Sequence, residues 1–276
     1  MGSSEIVSTI IHEFPYALYG SILVAVACAF LGVYIVARRV VFFGAVLTQV
    51  SVLGLAATFL PFLAMPHSVG SLALTLILVM ILSQLFTSGK KIPRDAVLGF
   101  VFVAAIAARI LVMQKAPKVE AAEVENLLRG DILFVTAETL WPMVGAFVVG
   151  AVMNLLFHKE FSFIAFDPET ARTQGYDARK WDLVFYLLAG LIIAFATHMV
   201  GDLFVFGFLV VPPVAALLLA RRVNAVFAAS VLIGVLSPPI GLYLAFLWDF
   251  PSSPAIVGVA CLFAALAYGV SLVRKH

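Results

Sequence analysis

Hydrophobic and polar positions along this chain change over whole segments rather than residue by residue. Long apolar runs are set off by short polar interruptions, and a helix needs about 20 such residues to cross a hydrocarbon core of about 30 Å. The pattern predicts spans at Phe14–Ala37, Val41–Leu63, Val69–Phe86, Ala96–Met113, Leu140–Phe157, Trp181–Thr197, Leu203–Ala220, Ala225–Leu247 and Ala255–Val273. Because some of these runs are short, the count is eight or nine. Little amphipathic surface is left to face water. The expected fold is therefore all-α: a polytopic helical membrane protein forming one transmembrane domain over residues 1–276, with the lipid bilayer as its surroundings.

Composition agrees. The chain is 63% hydrophobic and 12% charged, whereas soluble domains are nearer half apolar and a quarter charged. A net charge of +2 gives no reason to expect a nucleic-acid partner. The placement of the charges says more. With the amino terminus outside, Arg38, Arg39, Lys90, Lys91, Arg94, Lys159, Arg172, Arg179, Lys180, Arg221, Arg222, Arg274 and Lys275 all fall inside, thirteen of the seventeen basic residues. The positive-inside rule supports that orientation and a cytoplasmic carboxyl terminus. Cys28 and Cys261 lie in apolar runs without ligand spacing and read as small core residues. No basic region precedes the first apolar run, so the first helix is expected to be retained.

Between the spans, Lys90–Asp95 reads as a tight turn with a fresh helix start. Gln114–Thr139 reads as a partly amphipathic interfacial helix that breaks at Gly130 and Asp131, or as a solvated linker. Residues 158–180, HKEFSFIAFDPETARTQGYDARK, form the largest polar island. Asp167 suits an N-cap, Pro168 the first helical position, and Gly175 the ending turn. A short helix there, exposing Phe163, Phe166 and Tyr176, would make a compact docking knob.

Candidate chemistry within the membrane is sparse. There is no Walker A loop, HExxH, GxSxG or His/Cys cluster, so this chain is not expected to be an enzyme or to hold a cofactor. His198 and Asp202, four apart, share a face if their helix is continuous, yet two ligands are too few for a closed metal site. Thr48, Gln49 and Ser51 either line a path or act as interhelical hydrogen-bond partners. Arg109 lies near an outer helix end and can snorkel, with a functional salt bridge as the alternative reading. Pro212 and Pro213 predict a kink, either purely structural or lining a substrate path.

Several stretches resemble the integral-membrane permeases of bacterial ABC importers for zinc, manganese and iron. They are RRVVFFGAVLTQVSVLGLA from Arg38 to Ala56, NLLRGDILFV from Asn126 to Val135, FSFIAFDPETARTQGYDARKWDLVFYLLAG from Phe161 to Gly190, the Val200–Ala220 run, and Gly241 followed by Asp249-Phe-Pro-Ser-Ser. The resemblance implies an ABC importer permease fold in a bacterial inner membrane and a second permease copy. It also implies a cytoplasmic subunit that binds and hydrolyses ATP, and an extracytoplasmic metal-binding protein. Coupling to the ATPase is carried over to Phe163, Phe166, Asp167, Pro168, Ala171 and Gly175. Candidates for the translocation path are Thr48, Gln49, His198, Asp202 and Pro212. The chain departs from the family where an acid and a histidine usually stand four apart in the second span. It has Ala45 and Gln49 there, so the metal is unknown from sequence. An ion-coupled secondary transporter and a non-transporting scaffold are the rival readings.

Overall fold

The computed structural model describes residues 3–60, 66–87, 93–115 and 132–273. The helices are α1 (Ser3–His12), α2 (Pro15–Ala37), α3 (Val41–Ala57), α4 (His67–Thr87), α5 (Arg94–Met113), α6 (Ala137–Phe166), α7 (Pro168–Thr173), α8 (Ala178–Val200), α9 (Asp202–Leu219), α10 (Val223–Trp248) and α11 (Ser252–Val273), with one 3₁₀ turn at Ile132–Phe134. Among the described residues, eight helices are long and apolar enough to cross a bilayer. The ninth expected span corresponds to α3, a shorter apolar helix of 17 residues, about 26 Å long. The described residues contain no strand.

One element escaped the sequence pattern. Helix α1 precedes the first span, and it buries Ile6 and Ile10, one turn apart, against α2 and α10. Residues 90–92 and 116–131 lie outside the described residues, while the fresh helix start expected after the 90–95 turn is the start of α5 at Arg94. Cys28 is buried as expected, but Cys261 is exposed on α11, on a face that the other described residues leave uncovered.

Helix α9 lies at the centre of the bundle, packed on α2, α3, α8, α10 and α11. Inside a membrane, apolar side chains gain little by leaving lipid for protein, so close backbone approach and polar contacts decide helix association. Gly32 on α2 illustrates this: a Cβ there would collide with the Leu209 carbonyl oxygen and the Pro213 ring of α9. Pro213 deprives that carbonyl of its helical donor, and the bare surface of Gly32 lets α2 cover it. Pro212 and Pro213 are both buried. The far side of the bundle is different. Helix α5 packs chiefly on α3, and Phe100, Val103 and Leu111 on its outer face are at least 65% exposed.

Candidate functional site

Two polar regions stand out, one at each end of α8. The first is built on α3, α5 and the start of α9. Gln49, midway along α3, donates from Nε2 to Asp202 Oδ2 at 2.6 Å and accepts at Oε1 from Arg109 Nη1 at 2.9 Å. A carboxylate only accepts and a guanidinium only donates, so one amide orientation alone satisfies both neighbours. Asp202 Oδ1 also accepts from the backbone N–H of Leu203 at 2.7 Å, at the N-terminus of α9, where the helix dipole favours a negative charge. All three side chains are half-buried. A cation and an anion are thus joined through a neutral amide.

The sequence placed Gln49 and Asp202 among the path candidates and read Arg109 as snorkelling before salt-bridged, because partners on three separate helices leave no spacing signal. The other path candidates sit differently. Thr48 is buried, and its hydroxyl donates to the Ala45 carbonyl at 2.9 Å. Ser51 is 2.7 Å from the Ser71 hydroxyl, tying α3 to α4. His198 lies in the last turn of α8, but the helix breaks at Gly201, whose φ of 86° is open to glycine. Asp202 therefore begins a new helix instead of continuing the register of His198. Among the described residues no three His, Cys, Asp or Glu side chains gather to hold a metal ion.

The second region is the 158–180 segment. Helix α6 kinks at Phe157 (φ −120°) and continues to Phe166. Asp167 then caps α7, its Oδ1 accepting from the Thr170 N–H at 3.1 Å. That contact and the Thr170 hydroxyl hold the Asp167 carboxyl below its ordinary 3.8. The end of α7 closes with Tyr176 N–H donating to the Ala171 carbonyl at 3.1 Å, while Gly175 takes φ 85°. Pro168 opens the helix as expected. The exposed aromatic surface is smaller than expected. Only Phe166 is exposed, because Phe163 and Tyr176 cover each other edge to face at 5.8 Å, and Ala171 is buried.

Behind this segment lie fastenings that the sequence did not reveal. Arg38, at the end of α2, pairs with Asp182 on α8. Its guanidinium carbon lies 4.2 Å from the Phe185 ring centroid and 5.8 Å from that of Tyr186. Asn154 Nδ2 donates to the Tyr34 hydroxyl at 2.8 Å, with His158 Nδ1 3.3 Å from the same oxygen. A cavity of about 260 Å³ between α2, α6 and α8 ends on Tyr34 and Asn154, but its other lining residues are apolar and none of the path candidates borders it.

Residues 12–271 match the ABC 3 transport family. This chain belongs to that family. Among its relatives, the manganese transport system membrane protein MntC of Halalkalibacterium halodurans is 24% identical over 252 residues, 91% of this chain and 85% of the relative. The probable iron transport system membrane protein of Haemophilus influenzae is 26% identical, covering 87% of this chain and 84% of the relative. In structure the chain resembles PsaBC from Streptococcus pneumoniae, solved in complex with Fab, with a TM-score of 0.84 at 20% identity over 96% of this chain and 95% of that one. The ABC 3 match spans both polar regions, and the fold likeness agrees with the all-helical permease architecture expected from the sequence.

Proposed function

We infer that this chain is the membrane-spanning permease subunit of an ATP-driven importer of a divalent transition metal, manganese or iron before zinc. Its match to the ABC 3 transport family over residues 12–271 carries this reading. The names of the relatives from H. halodurans and H. influenzae support the choice of metal. In this reading the chain is a single permease domain in a bacterial inner membrane, with its amino terminus outside and its carboxyl terminus in the cytoplasm. It pairs with a second copy and receives metal from an extracytoplasmic binding protein. ATP is bound and hydrolysed by a cytoplasmic partner seated on residues 158–180, so this chain needs no cofactor of its own.

The geometry suggests how force reaches the path. Helix α8 begins at the capped turn after α7 and ends at Gly201, the residue before Asp202. Its 23 residues make a rod of about 34 Å from the docking segment to the polar cluster. Arg38 and Asp182 lock the docking end of that rod to α2, which packs on α9. Movement of α7 thus shifts Asp202 relative to Gln49.

The test is uptake into proteoliposomes containing the complex with its ATPase, supplied with the binding protein loaded with manganese, iron or zinc. ATP-dependent uptake of a metal is expected. ATP hydrolysis without uptake of any of the three removes the metal assignment and leaves the coupling reading.

A further inference from the structure

We propose that Arg109 is a tethered cation that occupies the polar cluster between transport events, and that a divalent cation passes only by displacing its guanidinium from Gln49. The proposal rests on the metal-importer reading and adds a residue that controls access and selectivity.

The argument begins with what a cation would meet. Gln49 Oε1 is the uncharged oxygen donor of the cluster, and it is already taken by Arg109 Nη1 at 2.9 Å. The amide cannot turn to offer its oxygen elsewhere without aiming its NH₂ at the guanidinium and its oxygen at Asp202, two repulsive contacts in place of two attractive ones. The Asp202 carboxylate is engaged at both oxygens, by Gln49 Nε2 at 2.6 Å and by the Leu203 N–H at 2.7 Å. Thr48 and Ser51, on either side of Gln49 in sequence, are committed to Ala45 and Ser71. A dication reaching this level therefore encounters a positive charge, and the oxygens of Gln49 and Asp202 are already engaged by protein donors.

Removal of the guanidinium reverses the situation. It frees Gln49 Oε1, leaves the Asp202 carboxylate one hydrogen bond away, and lifts the like-charge repulsion. Two hard oxygen donors completed by water suit manganese or ferrous iron held weakly, as a transit site requires. Arg109 is able to leave because it stands one turn before the end of α5, at Met113, on a helix packed chiefly on α3. Its long stem can carry the charge toward the membrane surface. The Gln49 bridge makes the exchange feasible: the guanidinium surrenders a hydrogen bond to a neutral amide, whereas a direct ion pair with Asp202 would hold it more firmly.

The experiment measures Mn²⁺ binding to the intact complex with its ATPase, in nanodiscs without nucleotide, from the loss of the free-ion electron paramagnetic resonance signal. Arg109→Gln and Arg109→Met, the latter keeping the apolar stem should the former not assemble, are each expected to bind Mn²⁺ about ten-fold or more tighter than the parent. Arg109→Lys, which keeps a cation on the tether, is expected to stay within about two-fold of the parent. Adding Gln49→Leu to either neutral variant is expected to abolish the gain. Parent-like binding in both neutral variants overturns the proposal, as does equal tightening in Arg109→Lys or a gain that survives Gln49→Leu. Because binding is read without ATP, these results stand apart from metal uptake, whose absence in the parent overturns the importer reading instead.

Discussion

Arg38 and Arg109 are both partly withdrawn from solvent in a chain that is mostly hydrocarbon, and they are held in opposite ways. Arg38, its side chain only 6% exposed, meets a carboxylate directly and lies over aromatic rings. Its Nε and Nη2 find no acceptor among the described residues. Arg109 is half-buried and reaches its carboxylate only through the Gln49 amide. A direct ion pair with a buried cation fixes two helices together, whereas a bridged pair at the edge of the bundle can be taken apart. The first suits a fastening behind a docking surface, the second a point where something must pass.

The largest effect is expected at the fastening. Asp182→Leu leaves the Arg38 guanidinium buried without its anion, and breaking such a pair costs about 3 kcal/mol or more. The unfolding temperature of the purified permease in detergent should fall sharply. The double substitution Arg38→Met with Asp182→Leu should recover most of the loss, because well-packed apolar replacements of a buried pair are often neutral. If Asp182→Leu behaves like a surface substitution, the pair is not a fastening and the comparison fails at its stronger end.

Gln49→Leu should cost less, about 1–3 kcal/mol for the hydrogen-bonding groups left behind. Arg109 can retreat along its stem toward water, an escape closed to Arg38. Metal uptake should nevertheless fall further than stability does, since the amide oxygen lost is the one the cation needs. Uptake that merely tracks folded yield would reduce Gln49 to an interhelical contact.

Where the sequence could be read and where it could not follows the same division. The spans were legible because each apolar run carries its own signal, and so was α7, whose Asp-Pro start and glycine end lie within a few residues of each other. Helix α1 was missed because two isoleucines one turn apart are too little periodicity in a chain that is apolar nearly everywhere. Only the end of α3 was misplaced, since its apolar run continues to Leu63 although the helix stops at Ala57. His198 and Asp202 looked like partners by spacing, but Gly201 separates them. The Arg109–Gln49–Asp202 cluster and the Arg38–Asp182 pair were invisible for one reason: their members are 60 to 153 residues apart, and only tertiary packing brings them together.

The smallest effect should lie in the docking segment itself, where one exposed cap replaces the buried partners of Arg38. The Thr170 hydroxyl and N–H hold the Asp167 carboxyl below 3.8. A depressed carboxyl stabilises the fold fully above its unfolded value and loses that contribution as the pH falls through the lower folded value. The cap of α7 should therefore hold throughout the neutral range and open only in strong acid. Protection of the Thr170 amide against hydrogen exchange, corrected for intrinsic rate, reads this directly. Asp167→Asn keeps an oxygen to accept from Thr170 but cannot titrate, so its protection should not change with pH. Asp167→Ala should lose protection at every pH, together with part of the ATPase stimulation by loaded binding protein, while the unfolding temperature stays near that of the parent. Full stimulation in Asp167→Ala would mean that the partner grips some other surface, and that the fastening behind α7 serves the bundle rather than the docking.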